Sequence, residues 1–265
     1  MIVNTKRLFA RLLSTMKIDS VCDVGSMDGA DSLGFREAAP ESSIYAFEAN
    51  PMNFDLMKTS AELQKGHIRI LPLAVTDHDG EAEFFIVPAD YSRPDARRGC
   101  SSLYRRTGED GSSTAVVQVR TTRLDTFITD NCPADARFAL WIDAEGKAYE
   151  VIEGVAAAAQ RIYLVHVEVE TEPCIGLSQK LYPEVKGLLE TLRFRELATD
   201  HSVDCTQFNA LFARSDLPAG MQFQIRAWRL YAEVRHLFVG VILRICPGCI
   251  PRYHALRSRC RRAAS

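Results

Sequence analysis

Apolar runs of strand length recur along the chain at Ser20–Val24, Ser43–Phe47, Ile68–Val75, Ala139–Ile142 and Ile162–Val169. Between most of them the apolar positions fall at helical intervals: Met52, Leu56, Met57 and Leu63 in segment 52–65, and Tyr149, Val151, Ile152 and Val155 in segment 146–158. Continuous apolar strands alternating with amphipathic helices predict an α/β domain with a mostly parallel sheet covered on both faces. In segment 1–17, Lys6, Arg7 and Arg11 interrupt Leu8, Phe9, Leu12 and Leu13, which predicts an amphipathic helix on that sheet rather than a signal peptide.

The rhythm changes within 78–122. Glu81–Val87 and Ala115–Thr121 read as strands of a β excursion, joined by a loop from Pro88 to Ser113 that is rich in Arg, Ser, Asp and Gly. A loop of that length in a compact domain is a candidate substrate loop. Arg193–Ala198 and Phe208–Arg214 predict a closing antiparallel hairpin, so the catalytic unit is expected to span 1–214.

Composition adds a division of charge. The formal net charge is −2, but residues 215–265 carry nine arginines against Asp216 and Glu233, a net of +7, which leaves −9 on residues 1–214. The extension opens with Phe223, Ile225, Trp228, Leu230, Tyr231, Val234, Leu237, Phe238, Val241, Ile242 and Ile245 at helical spacing among Arg226, Arg229, Arg235 and Arg244. A basic amphipathic helix with its own partner is expected there: an anionic membrane surface or a second copy of the chain through 221–262, with packing on the core as the third arrangement. Cys246, Cys249, His254 and Cys260 approach a zinc-knuckle spacing, but the last interval is one residue too long and zinc is not expected. The eight cysteines lack a disulfide framework, and no run reaches the roughly 18 apolar residues of a membrane span. A cytoplasmic protein is expected, attached to the membrane at most peripherally through its tail.

The chemistry concentrates where strands end. Val21-Cys22-Asp23-Val24-Gly25-Ser26-Met27-Asp28-Gly29 is an apolar strand entering a glycine-punctuated turn, and Ile44-Tyr45-Ala46-Phe47-Glu48-Ala49-Asn50-Pro51 is a second strand ending in an acid. Glu48 follows Gly25 at close to the roughly 20-residue step that separates a glycine turn from its ribose-binding acid. The spacing is Gly25-x-x-x-Gly29 rather than G-x-G-x-x-G, and Asp23 and Asp28 are poor neighbours for a pyrophosphate. They suit a cationic cofactor, S-adenosylmethionine (SAM), with its ammonium and sulfonium.

These residues resemble the FkbM-type SAM-dependent methyltransferases. The resemblance runs over most of 20–214: Asp23-Val24-Gly25-Ser26 with Gly29, Phe47-Glu48-Ala49-Asn50-Pro51 with Phe54, Leu73-Ala74-Val75 with Asp79-Gly80 and Glu83-Phe84, and Ser101-Ser102-Leu103. It continues through Thr122 with Leu124-Asp125, Ile142-Asp143-Ala144-Glu145-Gly146 with Glu150 and Gly154, and Val167-Glu168-Val169. It implies a Rossmann-like, seven-stranded, mostly parallel sheet with an antiparallel last strand, and O-methylation of hydroxyls on sugars or secondary metabolites. The cofactor residues it implies are Asp23, Gly25, Ser26, Asp28, Gly29, Glu48, Ala49, Asn50, Ala74 and Asp143; Ser101, Ser102 and Glu145 are candidates for the acceptor. The chain departs from the family at Ser26-Met27-Asp28, and at Val169-Glu170, where a histidine is frequent.

A base is needed for a sugar hydroxyl, and Asp143, Glu168 and Glu170 are the candidates. Asp143 follows the fourth core strand, while Glu168 and Glu170, two apart on a strand, face one side. His166 shares that parity but is expected to be a core histidine, and Glu145 has an alternative as a helix cap. A hard cation held by Asp143, Glu168 and Glu170 is an alternative that is not favoured. The function expected is methyl transfer to a hydroxyl of a glycan, glycolipid, or related small metabolite. RNA or protein methylation guided by the tail is the rival enzyme, although nucleic acid is not the expected partner, and a non-catalytic SAM-binding adaptor is the rival outside catalysis.

Overall fold

The computed structural model describes residues 4–87, 98–106, 115–201 and 205–245. The N-terminal helix, α1 (Thr5–Met16), starts at Asn4, whose side chain accepts from Arg7 N–H, and it buries Leu8, Phe9, Leu12, Leu13 and Met16. The chain then alternates as expected: β1 (Ser20–Val24), α2 (Ala30–Ala38), β2 (Ser43–Phe47), α3 (Pro51–Thr59), α4 (Ala61–Lys65) and β3 (Arg69–Leu71). A small β unit follows, made of β4 (Ala74–Val75), β5 (Gly80–Ile86) and β6 (Ala115–Thr122). The core resumes with α5 (Leu124–Asn131), β7 (Phe138–Ile142), α6 (Ala148–Glu153), β8 (Ile162–Glu170), α7 (Tyr182–Thr191), β9 (Phe194–Thr199) and β10 (Gln207–Arg214), and α8 (Ala219–Ile245) ends the described chain.

The main sheet has seven strands in the order β3-β2-β1-β7-β8-β10-β9. β3, β2, β1, β7 and β8 are parallel, and β10, last in sequence, lies antiparallel between β8 and β9. This is a Rossmann-like α/β fold. The winding reverses between β1 and β7, and such a switch point opens a ligand crevice at the carboxyl ends of the strands. One face buries Cys22, Val24, Leu140 and Ile142 against α5, α6 and α7; the other buries Val21, Ala46 and Trp141 against α1 and α2.

Three expected elements are divided in the structure. Ile68–Val75 is not one strand: Pro72 lacks the N–H a ladder needs, so β3 stays in the main sheet while β4 pairs with β6 in the smaller one. Segment 52–65 breaks at Ser60, which closes α3 and whose hydroxyl accepts from Leu63 N–H to open α4. Segment 146–158 stops as a helix at Gly154, where an added Cβ would lie 2.1 Å from the Thr76 carbonyl oxygen, and continues as a 3-10 turn over Ala156–Arg161. Of the loop from Pro88 to Ser113, only 98–106 falls among the described residues, and Cys246, Cys249, His254 and Cys260 lie outside them.

Candidate active site

Two residues meet at the switch point. Gly25 adopts φ +82°, and a Cβ there would stand 1.9 Å from the Asp143 carbonyl oxygen, so only glycine allows the first loop to pass against the end of β7. Asp143 N–H in turn donates to Val24 carbonyl at 2.9 Å, which ties the ends of the two strands together. The cleft above this contact is lined by Gly25, Met27, Glu48, Ala49, Asn53 and Asp143, with an apolar wall that includes Phe47, Leu73, Ala74, Phe84 and Leu103.

Glu48 is fixed at the end of β2. Its carboxylate accepts from Met27 N–H at 2.6 Å and from Asn50 N–H at 2.8 Å, so it fastens the first loop to the second. Asn53 Nδ2 also reaches it, at 3.5 Å, and the carboxylate lines the cleft. Asn50 is buried and does not line the cleft; it caps α3 by accepting from Met52 N–H at 3.1 Å and reaches the Ser101 hydroxyl at 3.4 Å. Ser101 itself lines the cleft, while Ser102 donates to Glu145 carbonyl at 2.7 Å.

The acids of the first loop lie elsewhere than at the cleft wall. Asp23 is buried beneath the loop, where one of its oxygens accepts from Ser26 at 2.8 Å and from Ser32 at 2.5 Å. Burial is the main cause that pushes its pKa up to about 7, with Asp31 and Asp143 adding to the rise against the two hydroxyls. Asp28 is exposed and accepts from Ala30 N–H at 3.0 Å, and Gly29 (φ +80°) starts α2 against the Leu63 side chain.

At the ends of β7 and β8 a second group assembles. Asp143, Glu145 and Glu168 each place a carboxylate oxygen within 4.8 Å of the others. Asp143 and Glu168 share a hydrogen bond, which favours a proton on the pair; burial raises both, and the charges of Asp143 and Glu145 push Glu168 up further. Glu145, at φ 44°, is pushed up to about 7 by burial and by Asp143, although Arg106 donates to it at 2.6 Å. It does not cap α6, whose N-cap position is Lys147. Glu170 shares the strand face but not the cluster. Gln179 donates to it at 2.5 Å, and Gln207 donates to both Glu168 (2.7 Å) and Glu170 (3.2 Å). The oxygen set suited to a hard cation is therefore Asp143, Glu145 and Glu168, not the expected trio with Glu170.

His166 is the core histidine expected. It stacks on Trp141 at 3.6 Å and 2°, its Nε2 lies 3.0 Å from Thr5 Oγ1, and burial drops its pKa to about 3. Sequence reasoning missed Asn53, Gly99, Lys147 and Arg106. Gly99 packs under the Met27 side chain, and Lys147 sits over the Tyr104 ring at 3.8 Å while donating to Glu150 at 2.9 Å. Tyr104 also donates to Glu150, at 2.6 Å, so segment 98–106 is pinned across the cleft by Ser102, Tyr104 and Arg106. No local signal marks the contacts of Ser102, Tyr104 and Arg106, because each joins residues far apart in sequence.

Fold and cleft define a Rossmann-like enzyme of the methyltransferase class. The methyltransferase FkbM domain matches residues 23–196, more than half of the chain, and the protein belongs to that family. It is thus a methyltransferase. No curated protein matches the sequence significantly. Similar solved structures include a magnesium protoporphyrin IX methyltransferase from Synechocystis PCC 6803 with bound SAM, with TM-score 0.45 and 9% identity over 80% of this chain and 78% of that one. A putative rRNA methylase from Clostridium thermocellum has TM-score 0.45 and 10% identity over 80% and 97%. The N-terminal domain of EvdMO1, in the presence of SAH and D-fucose, has TM-score 0.42 and 13% identity over 79% and 82%.

Proposed function

We propose that the protein methylates a hydroxyl of a sugar, glycan, glycolipid or related metabolite, with the Asp143–Glu168 pair as the base. The observation that carries this reading is that pair's position: Asp143 lines the cofactor cleft and shares its hydrogen bond with Glu168 on the neighbouring strand. In this reading Glu48 holds the ribose, the loop at Gly25 takes the methionine end, and Ala49, Ala74, Phe84 and Leu103 take the base. SAM supplies a methyl group already activated on a sulfonium, so no acid is needed for the leaving group.

What remains for the protein is position and one proton. Near-attack alignment contributes about 7–11 kcal/mol to such reactions, and a placed base typically adds a further ~10²–10⁴-fold. A singly protonated pair of acids can accept the hydroxyl proton and become neutral. Burial, which raises both carboxyls, favours that neutral product. Arg106 holds Glu145 to one side, and Gln207 holds Glu168 in place through its amide.

The test uses methyl-labelled SAM with cell extract separated into lipid, glycan, RNA and protein fractions, with Glu168→Gln as the control and a chelator in a parallel arm. Label is expected in the glycan or lipid fraction, and not with the variant. Label in RNA or protein alone overturns the acceptor assignment, and equal labelling by the variant overturns the base.

A further inference from the structure

Helix α8 presents an apolar face that none of the described residues covers. Its inner side buries Ile225 and packs Met221 and Trp228 onto α1, with the Arg11 guanidinium 5.6 Å from the Trp228 ring centroid. On the outer side Phe223 is 72% exposed, Leu230 60%, Tyr231 56% and Val234 54%. At 100° per residue Phe223, Leu230 and Val234 fall within about 40° of one line, with Tyr231 at its margin. Arg226 and Arg229, both exposed, flank that line on its other side. In the sequence the same spacing goes on through Leu237, Phe238, Val241 and Ile245.

We propose that this face of α8 docks the protein onto an anionic lipid surface. Charge decides between a lipid surface and a second copy of the chain. Helix α8 carries Arg226, Arg229, Arg235 and Arg244 against Glu233, and five more arginines follow it in sequence, so two such helices laid face to face would bring like charges together. Anionic headgroups neutralise that charge, while the acyl boundary takes the phenylalanine and leucine stripe, as amphipathic interfacial helices do. Among the described residues no helix is long and apolar enough to cross a membrane, so the helix lies on the surface.

The placement of α8 relates that surface to the site. β10 ends at Arg214, at the sheet edge opposite Asp143 and Glu168, and α1 ends near the same edge at Met16. α8 therefore climbs from that edge and passes Arg11 at Trp228. From there 17 residues of α8 remain, about 25 Å at 1.5 Å per residue, whereas α1 has six residues, about 9 Å, left to its start. Even at a crossing angle of about 50° α8 overruns the carboxyl edge where the acids cluster. A lipid-bound α8 would lay the strands along the membrane and hold the cleft mouth beside the surface.

The full chain is tested by flotation with phosphatidylcholine vesicles, with and without about 30 mol% phosphatidylglycerol. Binding is expected to the anionic vesicles only, weakening with added salt. Phe223→Ser with Leu230→Ser should lower it at least about tenfold, and Arg226→Gln with Arg229→Gln about fivefold per arginine. Both pairs are exposed on α8, and SAM affinity and helical content should match those of the unaltered protein. Equal binding to both vesicle types, or binding indifferent to both pairs, overturns the proposal. So does a concentration-dependent dimer in sedimentation that the serine pair abolishes while vesicles go unbound, or RNA binding without vesicle binding.

Discussion

The two halves of the cleft are built by different means. On the β1–β2 side the chain shapes the site with backbone: Gly25 admits the Asp143 carbonyl, Glu48 receives two N–H groups, and the charges are few. On the β7–β8 side side chains do the shaping, with several acids held by Arg106, Gln179 and Gln207 and with pKa values raised by burial. A backbone cradle is rigid and serves a ligand that never varies. A side-chain cluster trades protons and can be retuned, which suits the half proposed to meet the acceptor.

The sharpest way to break this comparison is Gly25→Ala. Its Cβ would meet the Asp143 carbonyl oxygen at 1.9 Å and require a left-handed backbone, so the loop and β7 must separate. Strain and clash of this kind cost roughly 1–3 kcal/mol or more, and SAM affinity should fall by more than about 100-fold, since both sides of the cleft shift together. Calorimetric titration with SAM checks it. An affinity within a few-fold of the original would show that the cradle is not set by backbone contact.

Glu168→Gln divides the halves in the other direction. It keeps the shape and an amide partner for Asp143, but it removes the shared proton. The expected result is a kcat lower by about 10²–10⁴-fold with SAM affinity unchanged within about twofold. In the unaltered enzyme the acid limb of the pH–rate profile should lie above the ordinary carboxylate range, because burial raises both members of the pair. A variant that lost SAM affinity while keeping kcat would place Glu168 in the cofactor half instead.

The same division explains what the sequence makes legible. Gly25 and Glu48 lie in one strand–helix–strand unit, so their roles follow from local spacing. Asp143 and Glu168 could be placed together because strand ends converge at one sheet edge and parity fixes the face. Parity also put Glu170 with them, but it carries no information about Gln179 and Gln207, which arrive from the loop before α7 and from β10 and engage it. Arg106 reaches Glu145 across 39 residues, from a segment whose neighbours bear no periodic pattern. Pro72 was visible all along, and the division of Ile68–Val75 follows from its missing N–H once the strand is asked for a full ladder. Asp23 marks the limit of a motif: its position in the turn suggested a ligand contact, while strand alternation turns it to the face that carries Val21 and Trp141.

Asp23 gives the smallest and most specific test. Both hydroxyl bonds, from Ser26 and Ser32, go to one of its oxygens, and the amide oxygen of Asp23→Asn can accept both. The variant should therefore fold and bind SAM nearly as before. The difference lies in pH. The carboxyl titrates at about 7 in the folded chain against an ordinary 3.8, so between those values the folded state keeps a proton that the unfolded state releases. Stability from this group is full below pH 3.8 and is lost as pH rises through about 7. Asp143, Glu145 and Glu168 act in the same direction, so the unaltered protein should melt progressively lower from pH 4 to 8, and Asp23→Asn should melt less steeply by one group's share, at most a few kcal/mol. Melting temperatures of both proteins across that range decide it. Parallel curves, separated by a constant, would mean that Asp23 holds no extra proton and that the first loop rests on an ionised acid.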